Sequence, residues 1–237
     1  MHSILVYHTI SEPPVALPGD IDISRVKFER QLQWLTRRRQ VVRLDETLCG
    51  TGKGLTAITF DDGFRDNLTV ALPLLERFNL PMTIFITAGF VGREGYLSKD
   101  DVREMSRHPL ITVGAHGLWH RHFTRLDATE ARRELIESRS LLESMTGLNV
   151  DLMAWPYGEC NRELEVLSRE CGYRAAWSVW KGTNSQHSLW RVPLGRRDNM
   201  MRFIAKVSGV YFPTKVLEQK WERLTSRGKS LECATAE

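Results

Sequence analysis

Residues 55–63 read LTAITFDDG, an uncharged and mostly apolar run that ends in two acids and a glycine. Such a run, bounded by a turn signal, is typical of a strand buried on both faces, as in parallel sheets. Asp61 and Asp62 then follow at the carboxyl end of the strand, and Gly63 permits a sharp turn. Because parallel α/β folds collect their chemistry at these ends, the segment predicts a parallel sheet with a carboxylate pair at its active edge.

The same pattern of short apolar runs and longer amphipathic stretches repeats along the chain, as expected of βα units. Besides Leu55–Phe60, the predicted strands are Ile4–Tyr7, Val41–Leu44, Met82–Thr87, Ile111–Ala115, Leu152–Trp155 and Arg174–Trp177. About seven strands, each followed by a helix, fit an α/β barrel or a doubly wound sheet. Periodicity does not choose between the two architectures.

Helical stripes and capping residues separate the predicted strands. The stripes consist of Phe28, Leu32 and Leu35 behind a cap at Ser24, and of Leu68, Leu72, Leu75 and Phe78. Asp127 with Glu130 resembles a capping box that opens a helix to about Met145, and Gly147 is a plausible stop. Residues 215–224 predict an amphipathic terminal helix, which a polar tail follows.

The composition bounds the class of protein. Of the 237 residues, 42% are hydrophobic and 26% are charged, which are ordinary proportions for one globular domain. The 33 basic and 29 acidic residues leave a net charge of +4, too little to indicate a nucleic-acid partner. No apolar run approaches the ~20 residues of a membrane span. No secretory leader precedes the first strand, so we expect a cytoplasmic protein.

The four cysteines lie far apart and lack the paired spacing of zinc or redox motifs. We therefore expect free thiols at Cys49, Cys160, Cys171 and Cys233.

The adjacent acids Asp61 and Asp62 can divide two tasks between them. One carboxylate can bind a metal ion while the other stays free as a base, since a cation lowers the repulsion between neighbouring acids. The alternative is that this Asp-Asp-Gly turn only caps the next helix.

His116 and His120 lie four residues apart, so a helical turn would place both imidazoles on one side. With a carboxylate from the Asp pair they predict a site with three ligands and an open position, as in catalytic zinc centres. His122, two residues further on, is predicted to be structural.

A third motif, AWPYG at residues 154–158, can aim the backbone N–H of Tyr157 at a developing oxyanion, although it also reads as an aromatic turn.

Together, TFDDG, the two histidines and the PYG loop resemble, in order and spacing, the polysaccharide deacetylases with a NodB homology domain, carbohydrate esterase family four. The resemblance covers residues 4–206, and we assign residues 1–210 to the deacetylase domain and 211–237 to a terminal helix and tail. VYH at residues 6–8, DGFRDN at 62–67 and GYRAA at 172–176 are similar to the subgroup found with exopolysaccharide synthesis. The implied fold is a distorted (β/α)7 barrel.

The resemblance also implies roles for individual residues. Asp61 is the general base, and Asp62, His116 and His120 bind a divalent ion, usually zinc and sometimes cobalt or nickel. The Tyr157 amide stabilises the oxyanion. The implied reaction is hydrolysis of the acetamide of an N-acetylated saccharide, with release of acetate.

Two features of the family pattern are missing. Ala154 stands where many members have an arginine that orients the catalytic Asp, and RVPL at residues 191–194 lacks the late histidine that acts as general acid. His8 or His187 are the alternatives for that proton. Candidate walls for the acetyl methyl and the sugar are Trp155, Trp177, Trp180 and Leu194.

Two other functions remain open at this level. The same scaffold can hydrolyse C–N bonds of amides that are not sugars, or hold a glycan without turnover. Retention of Asp61 and all three ligands argues against a pure binding protein.

Overall fold

The computed structural model describes the chain over residues 2–11, 20–49, 54–179 and 183–210. The predicted terminal helix, Trp180 and Cys233 lie outside the described residues. The strands are β1 (Ser3–Tyr7), β2 (Thr9–Ser11), β3 (Asp22–Ser24), β4 (Gln40–Val41), β5 (Leu55–Phe60), β6 (Met82–Ile86), β7 (Ile111–Ala115), β8 (Leu152–Ala154), β9 (Ala175–Val179) and β10 (Leu189–Pro193). The helices are α1 (Arg25–Arg38), α2 (Leu72–Phe78), α3 (Lys99–Arg107), α4 (Ala128–Thr146), α5 (Arg162–Glu170) and α6 (Met200–Val207).

Seven of these strands close into a parallel barrel. All five residues of β1 pair with β5, and on the other side Leu5 and Val6 pair with β10. The ring continues through β9, β8, β7 and β6 back to β5. An open doubly wound sheet has two free edges, whereas here β1 is paired on both sides. The predicted (β/α)7 barrel is confirmed, and the alternative of a doubly wound sheet is excluded.

One predicted strand is wrong as a member of the barrel. In the segment Val41–Leu44 only Val41 pairs, beside the start of β5, and Leu44 already begins the 3-10 turn Leu44–Leu48. The seventh place in the ring belongs to β10, which no sequence pattern predicted. This strand carries Arg191 at a fully buried position. A charged residue interrupts the apolar run by which a buried strand is recognised.

The helix signals locate their helices well. Ser24 caps α1 by accepting a hydrogen bond from its third residue, and Asp127 caps α4 by accepting one from the N–H of Glu130. Gly147 ends α4 with φ 70°, a left-handed conformation that favours glycine. The Glu130 carboxylate pairs with Arg121 instead of returning to the cap, so only half of the predicted capping box forms.

The barrel interior is filled by a buried cluster that includes Ala57, Phe85 and Trp177. The rings of Phe85 and Trp177 lie 5.8 Å apart. A Cβ on Gly114 of β7 would lie 2.6 Å from the Phe85 ring, so glycine is needed there for the ring to fit. On β5, where side chains alternate between faces, Asp61 continues the interior face of Ala57. The packed interior therefore ends in this carboxylate.

Among the helices of the described ranges, none is long and apolar enough to cross a membrane. Cys49, Cys160 and Cys171 carry free thiols.

β2 and β3 form a small parallel sheet that follows the carboxyl end of β1, and Asp66 packs against it. The Asp66 carboxylate accepts hydrogen bonds from Thr9, from the backbone of Ile10 and from Asn67 Nδ2. Burial raises the pKa of Asp66 to about 6, with a further contribution from the charge of Asp22, although the hydrogen bonds oppose the shift. The ionised form of Asp66 is therefore disfavoured by folding.

We expect the Asp66→Asn variant to gain free energy of unfolding over the wild type at about pH 7.5 but not at about pH 4.5. The folded pKa lies above the ordinary value of about 3.9. Stability from the protonated carboxyl is therefore present below about pH 4 and lost as pH rises through about 6. Asparagine cannot ionise, so it escapes that loss. Urea unfolding at both pH values measures the difference. The matched control is Asp100→Asn, an exposed acid, and an equal effect of Asp66→Asn at both pH values would contradict the expectation.

Candidate metal centre

The ends of β5 and β7 bring the predicted polar residues to one side of the barrel. Asp61 follows β5, and its N–H donates to Tyr7 O of β1 over 2.9 Å. Asp62 has φ 72°, a left-handed conformation that few residues other than glycine adopt. This turn sends the two side chains in different directions. His116 follows β7, and its N–H donates to Ile86 O at the end of β6.

Asp62, His116 and His120 converge on one point. Asp62 Oδ1 lies 3.5 Å from His116 Nε2 and 3.2 Å from His120 Nε2, and the three ligand atoms lie within 4.8 Å of one another. The Asp62 Oδ1 atom is buried and accepts no hydrogen bond of good geometry from the described residues. One carboxylate and two imidazoles form a donor set that suits Zn²⁺ and leaves an open position. The residues present therefore fit a divalent ion.

The ring of His116 is fixed in the tautomer that a metal ligand requires. Its Nδ1–H donates to the carbonyl oxygen of Ala154 over 2.8 Å, which leaves the lone pair on Nε2 directed at Asp62. Burial lowers the pKa of His116 to about 4, a shift that the nearby carboxylates only partly oppose. The imidazole is therefore neutral at pH 7.

The predicted helical turn between the two histidines is wrong. Residues 116–120 form a loop in which His120 has φ 53°, and the chain reversal rather than helical periodicity brings the rings to 5.0 Å. Glu134 of α4, which is 3% exposed, holds this loop by accepting the N–H groups of Leu118 and Trp119 over 2.8 and 2.9 Å. The sequence analysis did not identify Glu134, because an acidic residue on a helix with many charged residues is expected to face solvent.

The charges of the centre are balanced locally. Burial raises the pKa of Asp62, but the contact with His120 and the charges of His8 and His116 lower it further, so its pKa lies well below the ordinary range. For His120, burial lowers the pKa, whereas Asp62 and Asp61 more than compensate and raise it. The carboxylates are therefore ionised at neutral pH.

Asp61 is paired with an arginine that the sequence analysis did not assign to the site. Arg191 Nη1 and Nη2 donate to Asp61 Oδ1 and Oδ2 over 2.7 and 2.8 Å, and Nη1 also donates to Thr59 Oγ1 over 3.1 Å. Burial raises the pKa of Asp61, but Arg191 and His116 outweigh it and hold that pKa below its usual range. Asp61 Oδ2 is 3.9 Å from His116 Nε2.

The arginine missing beside the PYG loop is thus replaced from another strand. Ala154 belongs to the interior cluster that contains Phe85, and the Arg191 guanidinium lies over the Phe85 ring at 5.1 Å. An arginine from β10 therefore reaches Asp61 through the same interior space that Ala154 leaves open. A lone charge inside the apolar segment LWRVPL was the available signal, because a buried arginine needs a buried acid.

Tyr157 lies beside the metal centre with φ 59°. As the second residue of the 3-10 turn Pro156–Gly158, its N–H has no acceptor within that turn. The ring is 48% exposed, lies edge-on to His120 at 4.5 Å and stacks on His122 at 3.7 Å. His122, 3.3 Å from a Glu159 carboxylate oxygen, therefore supports Tyr157 from behind.

The residues predicted to contact the sugar lie in the hydrophobic core and not on the surface of the site. Trp155 and Trp177 are 0% exposed and Leu194 is 3% exposed, and all three pack in hydrophobic clusters. Trp155 Nε1 also donates to His187 O. These side chains shape the core behind the site, and a sugar cannot reach them in this structure. The exposed aromatic residues beside Asp62, His116 and His120 are instead Tyr157 and Trp119, at 48% and 47% exposure.

The two alternative histidines differ in position. His8 is half-buried after β1, its Nδ1 has no hydrogen-bond partner among the described residues, and its charge lowers the pKa values of both Asp61 and Asp62. His187 is buried against α5, with its Nδ1 2.9 Å from Ser168 Oγ. Of the two, only His8 acts electrostatically on the carboxylate pair.

Comparisons with known proteins agree with this geometry. The polysaccharide deacetylase family model matches residues 50–176, more than half of the chain. YxkH of Bacillus subtilis (strain 168) is 25% identical over 191 residues, which cover 77% of this chain and 66% of YxkH. A poly-beta-1,6-N-acetyl-D-glucosamine N-deacetylase of Staphylococcus aureus (strain N315) is 27% identical over 176 residues, covering 66% of this chain and 61% of that protein. The chain thus spans less than two thirds of these relatives.

Solved structures share the fold. The Streptococcus pyogenes deacetylase PplD, solved in complex with acetate, superposes with a TM-score of 0.77 at 20% identity, covering 86% of this chain and 97% of that one. IcaB from Ammonifex degensii superposes with a TM-score of 0.71 at 22% identity, covering 87% and 95%. From the match to the family model, the barrel and the motifs at its mouth, this chain belongs to the polysaccharide deacetylase family.

Proposed function

We propose that this chain is a metal-dependent N-deacetylase that hydrolyses the acetamide of an N-acetylated sugar in a glycan or glycan precursor. The observation that carries the proposal is the separation of the two adjacent carboxylates. Asp62 faces two imidazoles, whereas Asp61 is paired with Arg191 and lies 3.9 Å from the nearest imidazole nitrogen. The pair thus offers one ligand and one base.

Asp62, His116 and His120 would hold the ion, with zinc as the proposed metal and cobalt or nickel as substitutes. When bound, the ion supplies Lewis-acid polarisation of the acetamide carbonyl and a water of lowered pKa. Asp61 is ionised at neutral pH and accepts the proton of the attacking water.

The remaining steps fall to residues around the rim. The Tyr157 N–H donates to the oxyanion that develops as the carbonyl carbon becomes tetrahedral. His8 is the candidate donor of a proton to the leaving amine, because its charge acts on both carboxylates. Collapse of the intermediate breaks the C–N bond and releases acetate and the free amino sugar. The exposed rings of Trp119 and Tyr157 are the candidate sugar contacts.

The substrate class is supported by one relative. The Staphylococcus aureus protein is named for a polymer of N-acetylglucosamine, and N-acetylglucosamine oligomers are therefore the first substrates to assay. Acetate release from them separates sugar deacetylation from hydrolysis of non-sugar amides and from glycan binding without turnover.

The test combines metal removal with two variants. Chelated protein should lose acetate release and regain it with zinc or cobalt. Asp61→Asn removes the base, so turnover should fall by about 10²–10⁴ with metal content unchanged. Asp62→Asn exchanges an anionic ligand for a neutral one, so metal affinity should fall first and added zinc should restore part of the activity. Full activity without metal, or metal loss in the Asp61 variant alone, would contradict the assignment.

Arg191 is proposed to be a positioning residue that keeps Asp61 ionised. We expect Arg191→Lys to lower kcat, because a single ammonium replaces the two-pronged contact. The weaker pairing also raises the pKa of Asp61, so the acidic limb of the kcat/KM profile should move to higher pH. Arg191→Met should lower kcat further and move the acidic limb to still higher pH. It should also lower the free energy of unfolding, since it leaves the buried charge of Asp61 unpaired.

A pH–rate profile with parallel thermal unfolding distinguishes this role from simple structural support. Loss of stability with an unmoved acidic limb in both variants would show that Arg191 only supports the fold.

Glu134 is proposed to position His120 through the loop backbone. Glu134→Gln keeps the size of the side chain but removes the anionic acceptor of two N–H groups, so zinc affinity should fall by about 10–100-fold. Calorimetric zinc titration measures the change. Glu137→Gln is the matched control, because Glu137 lies on the same helix and pairs with Arg133 at the surface. An unchanged affinity in correctly folded Glu134→Gln would disprove the role.

A further inference from the structure

Arg93 lies on the loop between β6 and α3, at the rim of the metal centre. Its guanidinium carbon is 4.8 Å from the centre of the Phe90 ring and 5.2 Å from that of Trp119. Two aromatic rings therefore hold one cation by their faces. Such stacking leaves the N–H donors at the edge of the guanidinium available to a ligand.

Arg93 differs from the other arginines that lie over aromatic rings in the described part of the chain. Each of the four others also donates to an oxygen: Arg39 to Val207 O, Arg77 to Glu29, Arg139 to Glu143 and Arg191 to Asp61. The guanidinium of Arg93 has neither a hydrogen bond nor an ion pair within residues 2–11, 20–49, 54–179 and 183–210. It is a positioned cation whose donors are unused.

The loop that carries Arg93 is joined to the loop that carries the histidines. The N–H of Ala88 donates to Gly117 O over 3.1 Å, and that of Gly89 donates to Leu118 O over 2.8 Å. A Cβ on Gly89 would lie 2.5 Å from the Trp119 ring, so this close approach requires glycine. These contacts fix the position of the loop that carries Arg93 relative to the loop that carries His116 and His120.

Contacts between rings connect the cation to the metal centre. The Phe90 ring is close to both groups: its centroid lies 4.8 Å from the Arg93 guanidinium carbon and 6.5 Å from the centre of the His120 ring. Tyr96 packs against Phe90 at 5.0 Å. Burial and the charge of Asp62 raise the pKa of Tyr96 while Arg93 lowers it, so both charges are close enough to act on the Tyr96 hydroxyl.

We propose that Arg93, held by Phe90 and Trp119, binds an oxyanion of the saccharide substrate, carried either on the N-acetylated sugar itself or on the unit next to it. The inference rests on the proposed deacetylase function and narrows its substrate class to anionic glycans. A carboxylate of a uronic acid and a phosphate linked to the sugar share the paired oxygens that a guanidinium recognises. Either group would pair with the unused donors while the sugar lies against the exposed Trp119.

The test compares three substrates in the zinc-loaded protein: a neutral N-acetylglucosamine disaccharide, a disaccharide of N-acetylglucosamine with glucuronic acid, and N-acetylglucosamine 1-phosphate. We expect kcat/KM to be about tenfold higher for an anionic substrate than for the neutral one, and the advantage to shrink at high salt. A gain with the glucuronate alone assigns a carboxylate, and a gain with the phosphate alone assigns a phosphate. Arg93→Gln should bring the anionic-to-neutral ratio close to one.

Arg107→Gln is the matched control. It removes the same charge from an exposed position at the far end of α3 and should leave the ratio unchanged. Equal kcat/KM for all three substrates in the wild type, or a preference that survives Arg93→Gln, would overturn the proposal.

A binding measurement separates this proposal from the deacetylase function. Calorimetry should show the glucuronate disaccharide binding about tenfold more weakly to Arg93→Gln than to the wild type. If no substrate releases acetate, the proposed function fails. The difference in affinity between the wild type and Arg93→Gln then tests by itself whether Arg93 binds the anionic group. Equal affinities would then reject it.

Discussion

The buried pair of Asp61 and Arg191 is the contact on which the site depends. Neither charge is tolerable alone in the barrel interior, because an unpaired buried ion costs several kcal/mol. Two parallel hydrogen bonds to Asp61 and a third to Thr59 engage both Nη atoms of the guanidinium, while its buried Nε has no partner among the described residues. Since β1 lies between β5 and β10, this pair spans three strands at the point where the ring closes. The contact that links strands β5 and β10 across β1 is therefore also the contact that orients Asp61, the proposed base.

The chemistry of the two acids follows from a single change in backbone direction. Asp61 keeps the alternation of β5 and faces the interior, whereas the positive φ of Asp62 turns its carboxylate towards the imidazoles. Different elements then orient the ligands. The carbonyl of Ala154 on β8 fixes the tautomer of His116, and Glu134 on α4 holds the loop that carries His120. Hydrogen bonds from several parts of the fold thus position the proposed metal ligands.

The proposed sugar contacts and the proposed chemical groups lie in different parts of the barrel. Trp155 and Trp177 belong to strand ends and interior, so packing buries them completely. Trp119 and Tyr157 lie on loops beyond the strands and remain half exposed. This division is common in barrels, where strand ends supply rigid chemical groups and loops supply variable contacts. Under the proposed function, the exposed rim residues are the ones placed to select the sugar.

Local pattern in the sequence was enough to find the strand that ends at Asp61, the two histidines, the helix caps and the parallel α/β class, because residue type and period are local properties. The choice of a barrel over a doubly wound sheet came from the family resemblance, and the pairing of β1 on both sides confirms it. Only the tertiary structure decided that Arg191 replaces the arginine absent at Ala154, since that pairing joins positions 130 residues apart. The same holds for β10, because its buried Arg191 breaks the apolar pattern of a strand and is explained only by the pairing with Asp61. It holds also for His120, which reaches Asp62 through a left-handed turn held by Glu134. Partners brought together by ring closure leave no periodic trace along the chain, so packing alone determines them.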